Sequence, residues 1–210
     1  MRPVLFTVGS FPVSGYAVFV ALGILAAALV RRREVTRLGY TRTPGHAWIG
    51  VAALAGAMLG SKLGMLLFVP PDGFAALMRS ALAWDFTGKT VVGGIAGGYL
   101  GVEAAKRVFG IRHSTGDAFA VSLPLAQGIG RIGCFLNGCC GGIVTDSPLA
   151  IAGHHPTQLY ESGLDLLLAA SLWAVRTRPR PAGHLFRLAL VGYGAIRFGL
   201  EFLQIGRAHV

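Results

Sequence analysis

Gly130-Arg131-Ile132-Gly133-Cys134-Phe135-Leu136-Asn137-Gly138 places an arginine, an amide and three glycines at the end of a long apolar segment. A guanidinium at membrane depth is rare and marks function by default. Two further segments repeat the theme: His155-Pro156-Thr157-Gln158-Leu159-Tyr160-Glu161 and Tyr193-Gly194-Ala195-Ile196-Arg197-Phe198-Gly199-Leu200-Glu201. Polar and charged groups set into apolar stretches imply a membrane enzyme that grips an anionic lipid headgroup.

Composition around these segments excludes an ordinary soluble chain. Of the 210 residues, 53% are hydrophobic and only 13% charged, and mean hydropathy is +0.61. Apolar runs of spanning length recur from end to end. The expected fold is all-α, a single polytopic transmembrane domain over 1–210 with six spans at 13–30, 46–69, 90–109, 115–136, 157–175 and 184–204. Each holds about 20 residues, enough to cross hydrocarbon as a helix. Between the second and third, Phe74, Leu77, Met78, Ala81 and Leu82 follow helical spacing beside Asp72, Arg79 and Asp85. That pattern predicts an interfacial helix over 72–84.

The net charge of +10 falls between the apolar runs, not on a soluble surface, so it sets orientation and nucleic acid is not an expected partner. Arg31, Arg32, Arg33, Arg37 and Arg42 follow the first span, Lys106, Arg107 and Arg112 the third, and Arg176, Arg178 and Arg180 the fifth. These loops are expected in the cytoplasm. Gly138 to His155 carries no Lys or Arg, and the turn after the second span is basic only at Arg79 and Lys89, so both are expected outside. Arg131, Asn137 and His155 then face the outer leaflet. Met1 to Gly15 lacks a signal peptide's order of basic start, apolar centre and cleavage site, so the first span is expected to act as its own insertion signal.

Arg131 and Arg197 are the leading phosphate contacts, because a guanidinium keeps its charge and presents a rigid fork of donors. Glu201, one turn after Arg197, can pair with it while other donors face a ligand. Glu161 opens the fifth span with Tyr160, Gln158 and His155; it is either a general base or a partner to Arg131, and His155 either a catalytic group or an exposed loop residue. Pro156 reads as a helix start. Gly128, Gly130 and Gly133 admit two readings, helix packing or a phosphate brought close to the backbone. Gly94, Gly97, Gly98 and Gly101 read as close helix packing. Glu103 pairs locally with Lys106 or Arg107, and Lys62 either snorkels or lines the polar cavity.

Cys134, Cys139 and Cys140 are the only cysteines. C-x4-C-C beside two histidines fits zinc spacings poorly, so no metal is expected. A disulfide from Cys134 to Cys139 or Cys140, small buried apolar residues, and a nucleophilic thiol stay open.

These residues resemble the prolipoprotein diacylglyceryl transferase family over most of the chain. The likeness is carried by G-R-I-G-x-F-x-N-G at Gly130 to Gly138, H-P-T-Q-L-Y-E at His155 to Glu161, Y-G-x-x-R-F-x-x-E-F at Tyr193 to Phe202, and Tyr16 after Phe11-Pro12-Val13-Ser14. The resemblance implies a bacterial inner-membrane enzyme that needs no cofactor and moves diacylglyceryl from phosphatidylglycerol to the cysteine thiol of a lipoprotein-precursor peptide. It implies headgroup contacts from Arg131 and Arg197, with Asn137, Glu161, Tyr193 and Glu201 around them, and Gly133, Gln158 and Tyr160 are further expected substrate contacts. The base that activates the acceptor thiol would be Glu161, His155 or Tyr16. The chain departs from the family pattern at Val92, where a histidine is expected before Gly93-Gly94, and at Cys134 and Cys139, which replace an asparagine and a glutamate. The outer segment is cut to Cys139–His154, and the final helix after E-F is missing. Two alternatives follow: a phospholipid-using relative with another acceptor, and a lipid-binding or transport protein without catalysis.

Overall fold

The computed structural model describes residues 4–8, 11–40, 45–64 and 90–204. The chain is mostly helical, with α1 Gly15–Arg37, α2 His46–Leu63, α3 Val91–Val108, α4 Ser122–Asn137, α5 Thr157–Val175 and α6 His184–Glu201. A 3-10 turn at Gly116–Ala118 precedes α4. Of these segments Gly15–Arg37 and Gly116–Asn137 meet the length and apolarity needed to cross a membrane. The predicted interfacial helix at 72–84 lies outside the described residues.

All-α needs one correction. Val4–Val8 (β1) and Phe11–Ser14 (β2) pair antiparallel as a hairpin ahead of α1, with an irregular register between Val4 and Phe6. Val13 and Ser14 are therefore extended, not the first residues of a span. Pro12 has no amide hydrogen, which suits an edge strand. Ser14 then caps α1, its Oγ accepting from the Ala17 amide at 3.1 Å.

Chain contacts divide the protein into two compact units, 1–38 with 114–210, and 39–113. In the first, α1 packs on α4, α4 on α5, and α5 on α6. Its small apolar core joins Ala120, Val121, Ala169, Leu172, Leu185 and Ala189. At the C-terminal ends of α1 and α5, buried Glu34 takes Arg37 at 2.6 Å and Arg176 at 3.1 Å. The Asp117 carboxylate caps the start of α6, accepting from the amides of Gly183 at 2.7 Å and Phe186 at 3.0 Å.

In the second unit α2 and α3 meet through bare backbone. A β-carbon on Gly97 would strike the Gly56 carbonyl oxygen and one on Gly101 the Ala52 carbonyl oxygen, whereas Gly94 and Gly98 have ordinary room. Glycine packing thus holds for Gly97 and Gly101 by close approach, and Gly56, Gly60 and Gly93 complete the seam. Glu103 pairs with Lys106 at 2.8 Å.

Candidate active site

Glu161 is the centre of the first unit's polar cluster. It lies in the second turn of α5 and is 0% exposed. Its Oε2 accepts from Arg131 Nη2 of α4 at 2.7 Å and from Arg197 Nη1 of α6 at 3.1 Å. Its Oε1 accepts from Gln127 Nε2 at 3.2 Å. Three donors from two neighbouring helices therefore engage both oxygens of a carboxylate that water does not reach. Such engagement is what a buried charge requires.

Arg197 extends the cluster outward. Its Nη2 donates to Glu201 at 2.9 Å and its Nη1 to Gln204 Oε1 at 3.1 Å. The Gln204 amide in turn donates to Thr157 Oγ1 at 3.2 Å and to the Cys140 carbonyl at 3.4 Å. Tyr193 sits 3.5 Å from Gln127 through its hydroxyl. Arg131 is more enclosed than Arg197, 12% against 27% exposed, and its Nε has no hydrogen-bond partner. A buried, unanswered guanidinium donor beside a second guanidinium suits an oxygen of a bound phosphate.

The remaining expected residues divide. Gly133 is buried, with the place of a β-carbon 3.2 Å from the Tyr16 Cα and 3.0 Å from the Phe19 side chain. Its small size therefore brings α1 and Tyr16 against α4. Gly130 has open space at that position. Asn137 ends α4, exposed, and Gly138 follows in the left-handed region at φ 71. Gln158 reaches the Cys139 carbonyl at 2.5 Å, leaving its buried Oε1 without a partner. His155 turns to Tyr160, 3.3 Å from Nδ1 to the hydroxyl. Among the described residues no side-chain hydrogen bond joins His155 or Tyr160 to Glu161, Arg131 or Arg197. The His155 backbone belongs instead to the segment after α4, where Gly142 donates to its carbonyl at 2.9 Å and its amide donates to Ile143 at 3.1 Å, while Tyr160 lies in α5.

Sequence reading missed Gln127, Gln204, Ser162 and Asp165. Gln127 stands four residues before Arg131, a polar residue on the same helical face, and that spacing was its signal. Ser162 Oγ ties α5 to α4 by donating to the Gly128 carbonyl at 2.8 Å. Asp165, one turn after Glu161, is 0% exposed and neither carboxylate oxygen has a hydrogen-bond partner. Lys62 and Val92 belong to the second unit, Val92 79% exposed at the start of α3.

Beyond α4 the thiols differ. Hydrogen bonding from Cys134 pulls the Cys140 thiol down to about 5 against the desolvation that opposes it, while burial pushes Cys139 up.

Comparison with known proteins agrees with the three-block likeness. The family model described as prolipoprotein diacylglyceryl transferase matches residues 3–209. A phosphatidylglycerol–prolipoprotein diacylglyceryl transferase of Clostridium tetani is 33% identical over 219 residues, covering 97% of this chain and 86% of the relative. The corresponding proteins of Chromohalobacter salexigens and Cupriavidus necator are each 34% identical, covering 96% and 93% of this chain and 79% and 74% of their own. With the match running almost end to end and the arginines, Glu161 and Tyr193 drawn into one cluster, the chain belongs to the prolipoprotein diacylglyceryl transferase family.

Proposed function

We propose that this protein is a polytopic membrane enzyme that transfers diacylglyceryl from phosphatidylglycerol to the cysteine thiol of a lipoprotein precursor. One observation carries the reading: Arg131 and Arg197, from different helices, converge on a single oxygen of Glu161. Two guanidiniums held that close by one buried carboxylate present converging donors matched to one phosphodiester. Exposed Leu22, Leu25 and Leu29 on α1, with Leu164, Leu167, Val191 and Phe198 on α5 and α6, support a lipid-facing exterior. The basic loops support a site at the outer leaflet.

In the proposed reaction the acceptor sulfur attacks the glycerol carbon, an S–C bond forms, and the C–O bond to phosphate breaks. Glycerol phosphate leaves with the electron pair. Arg131 and Arg197 stabilise the charge that builds on the phosphate, an electrostatic role that grows where water is scarce. The thiol proton must pass to a base. Both arginines engage Glu161 through Oε2, so Glu161 organises them and the proton goes to His155, whose Nδ1 lies 3.3 Å from the Tyr160 hydroxyl. Gln158, Asn137, Tyr193 and Glu201 shape the walls of the headgroup site.

A second reading keeps the donor and changes the acceptor. Val92 at the family's histidine position favours it, since no imidazole stands there. The test is release of labelled glycerol phosphate from phosphatidylglycerol liposomes, with and without a lipobox peptide. Peptide-dependent release lost in Arg131→Ala and Arg197→Ala supports the transferase. Release that ignores the peptide supports another acceptor, and no release with intact lipid binding overturns both.

A further inference from the structure

The headgroup chemistry leaves three sulfur atoms unused. Cys134 lies in the last turn of α4, and Cys139 and Cys140 follow its left-handed Gly138 cap. All three are free thiols, and their Sγ atoms lie within 4.8 Å of one another. Three sulfurs bound to one small metal ion through bonds of about 2.3 Å stand about 4 Å apart. Small side-chain rotations close the remaining gap.

The backbone beneath these sulfurs is fixed. Cys140 adopts φ 62, a conformation that a residue with a β-carbon keeps only when its surroundings hold it. Thr157 Oγ1 at 3.1 Å and Gln204 Nε2 at 3.4 Å hold its carbonyl, and Gln158 holds that of Cys139. The Cys139 amide donates back to the Cys134 carbonyl at 3.2 Å. The convergence is thus tied to α5 and to the end of α6. Loop chance does not account for it.

Thiolate sulfur selects soft ions, chiefly Cu(I) and Zn(II). Among the described residues no histidine or carboxylate joins the three sulfurs as a fourth ligand. Structural zinc asks for four ligands in a tetrahedron, whereas a monovalent ion with a filled d shell is content with three sulfurs in a plane. A cuprous ion with three thiolates carries net charge −2, and the Arg131 guanidinium, three residues before Cys134 on α4, offsets part of it. We propose that Cys134, Cys139 and Cys140 form a three-thiolate site for Cu(I) beside Arg131. Three Cu–S bonds form, each thiol releases its proton to solvent, and copper stays cuprous throughout. Because Arg131 also belongs to the phosphate pair, an occupied site draws on the same guanidinium.

The test needs no enzymatic activity. Purified full-length protein in detergent, reduced and anaerobic, is titrated with Cu(I) delivered from a chromogenic chelator, following the ultraviolet thiolate-to-copper band and the metal content after desalting. The expected result is one copper per chain in the wild type and loss of tight binding in Cys134→Ser, Cys139→Ser and Cys140→Ser alike. Metal-free melting curves of the three variants that match the wild type exclude misfolding as the cause. The proposal is overturned if wild type with three titratable thiols takes no copper, if any single variant keeps full affinity, or if Zn(II) binds and Cu(I) does not displace it.

Discussion

Arg131 and Glu161 meet across α4 and α5 at 2.7 Å, the carboxylate fully enclosed and the guanidinium nearly so. Arg197 closes on the same oxygen from α6 at 3.1 Å. Removing the carboxylate charge takes the Glu161 ion pair from Arg131 and leaves Arg197 with Glu201. Breaking a buried pair in this way costs about 3–5 kcal/mol. Glu161→Gln is therefore expected to lower kcat/KM by about 10²–10³-fold, the scale of losing preorganised charge stabilisation, and to lower Tm. Liposome turnover and detergent melting check both, and wild-type turnover in Glu161→Gln sinks the organising role.

The two arginines are expected to differ from lysine by shape more than by charge. Arg131 Nη2 and Arg197 Nη1 hold Glu161, while Arg197 Nη2 and Nη1 also hold Glu201 and Gln204. A lysine supplies one point charge and no fork. Arg131→Lys and Arg197→Lys are each expected to fall by at least about 10-fold in kcat/KM, one lost transition-state contact being worth that or more. The second substitution has the milder effect, because Arg197 is the more exposed. The reverse order in steady-state kinetics contradicts the assignment of Arg131 as the principal phosphate contact.

How much of this the sequence disclosed follows from range. Helices at 157–175 and 184–201 were legible because apolar spacing and the Pro156 start are local signals. Arg131, Glu161 and Arg197 stood out because charge in an apolar run is conspicuous. Their meeting was legible only as a possibility, since the 2.7 Å bridge joins positions on separate helices. Gln204 was invisible, for its value lies in reaching Cys140 and Thr157, far away along the chain. The β1–β2 hairpin was missed because two short strands carry too few alternations to compete with the apolar run that follows. The cysteines showed a poor metal spacing in sequence, and only the Gly138 turn brings their sulfurs together.

The glycine seam separates two positions that composition alone treats alike. Gly97 faces the Gly56 carbonyl and the Gly60 Cα on α2 with no room for a β-carbon, whereas at Gly94 the nearest atoms stand 3.6 Å off. Gly97→Ala is expected to destabilise by about 1–3 kcal/mol, the usual scale of overpacking. Gly94→Ala is expected to be neutral within about 0.5 kcal/mol. Melting of the two variants in the same detergent measures the contrast, and equal melting temperatures reject backbone contact between α2 and α3 at Gly97.

Asp165 gives the opposite kind of test, a substitution expected to help stability. Its carboxyl is fully enclosed and unanswered, one helical turn from Glu161, so two acidic side chains share one face of α5 while both arginines bond only the first. A buried carboxylate without a partner costs more than a neutral amide in the same place. Asp165→Asn keeps the shape and removes the charge that competes with Glu161 for the arginines. It is expected to raise Tm with turnover held within about threefold, whereas Asp165→Leu is expected to disturb the packing of α5 and lower both. If Asp165→Asn abolishes turnover at unchanged Tm, the carboxylate itself acts on substrate, and the polar centre must be redrawn around both acids.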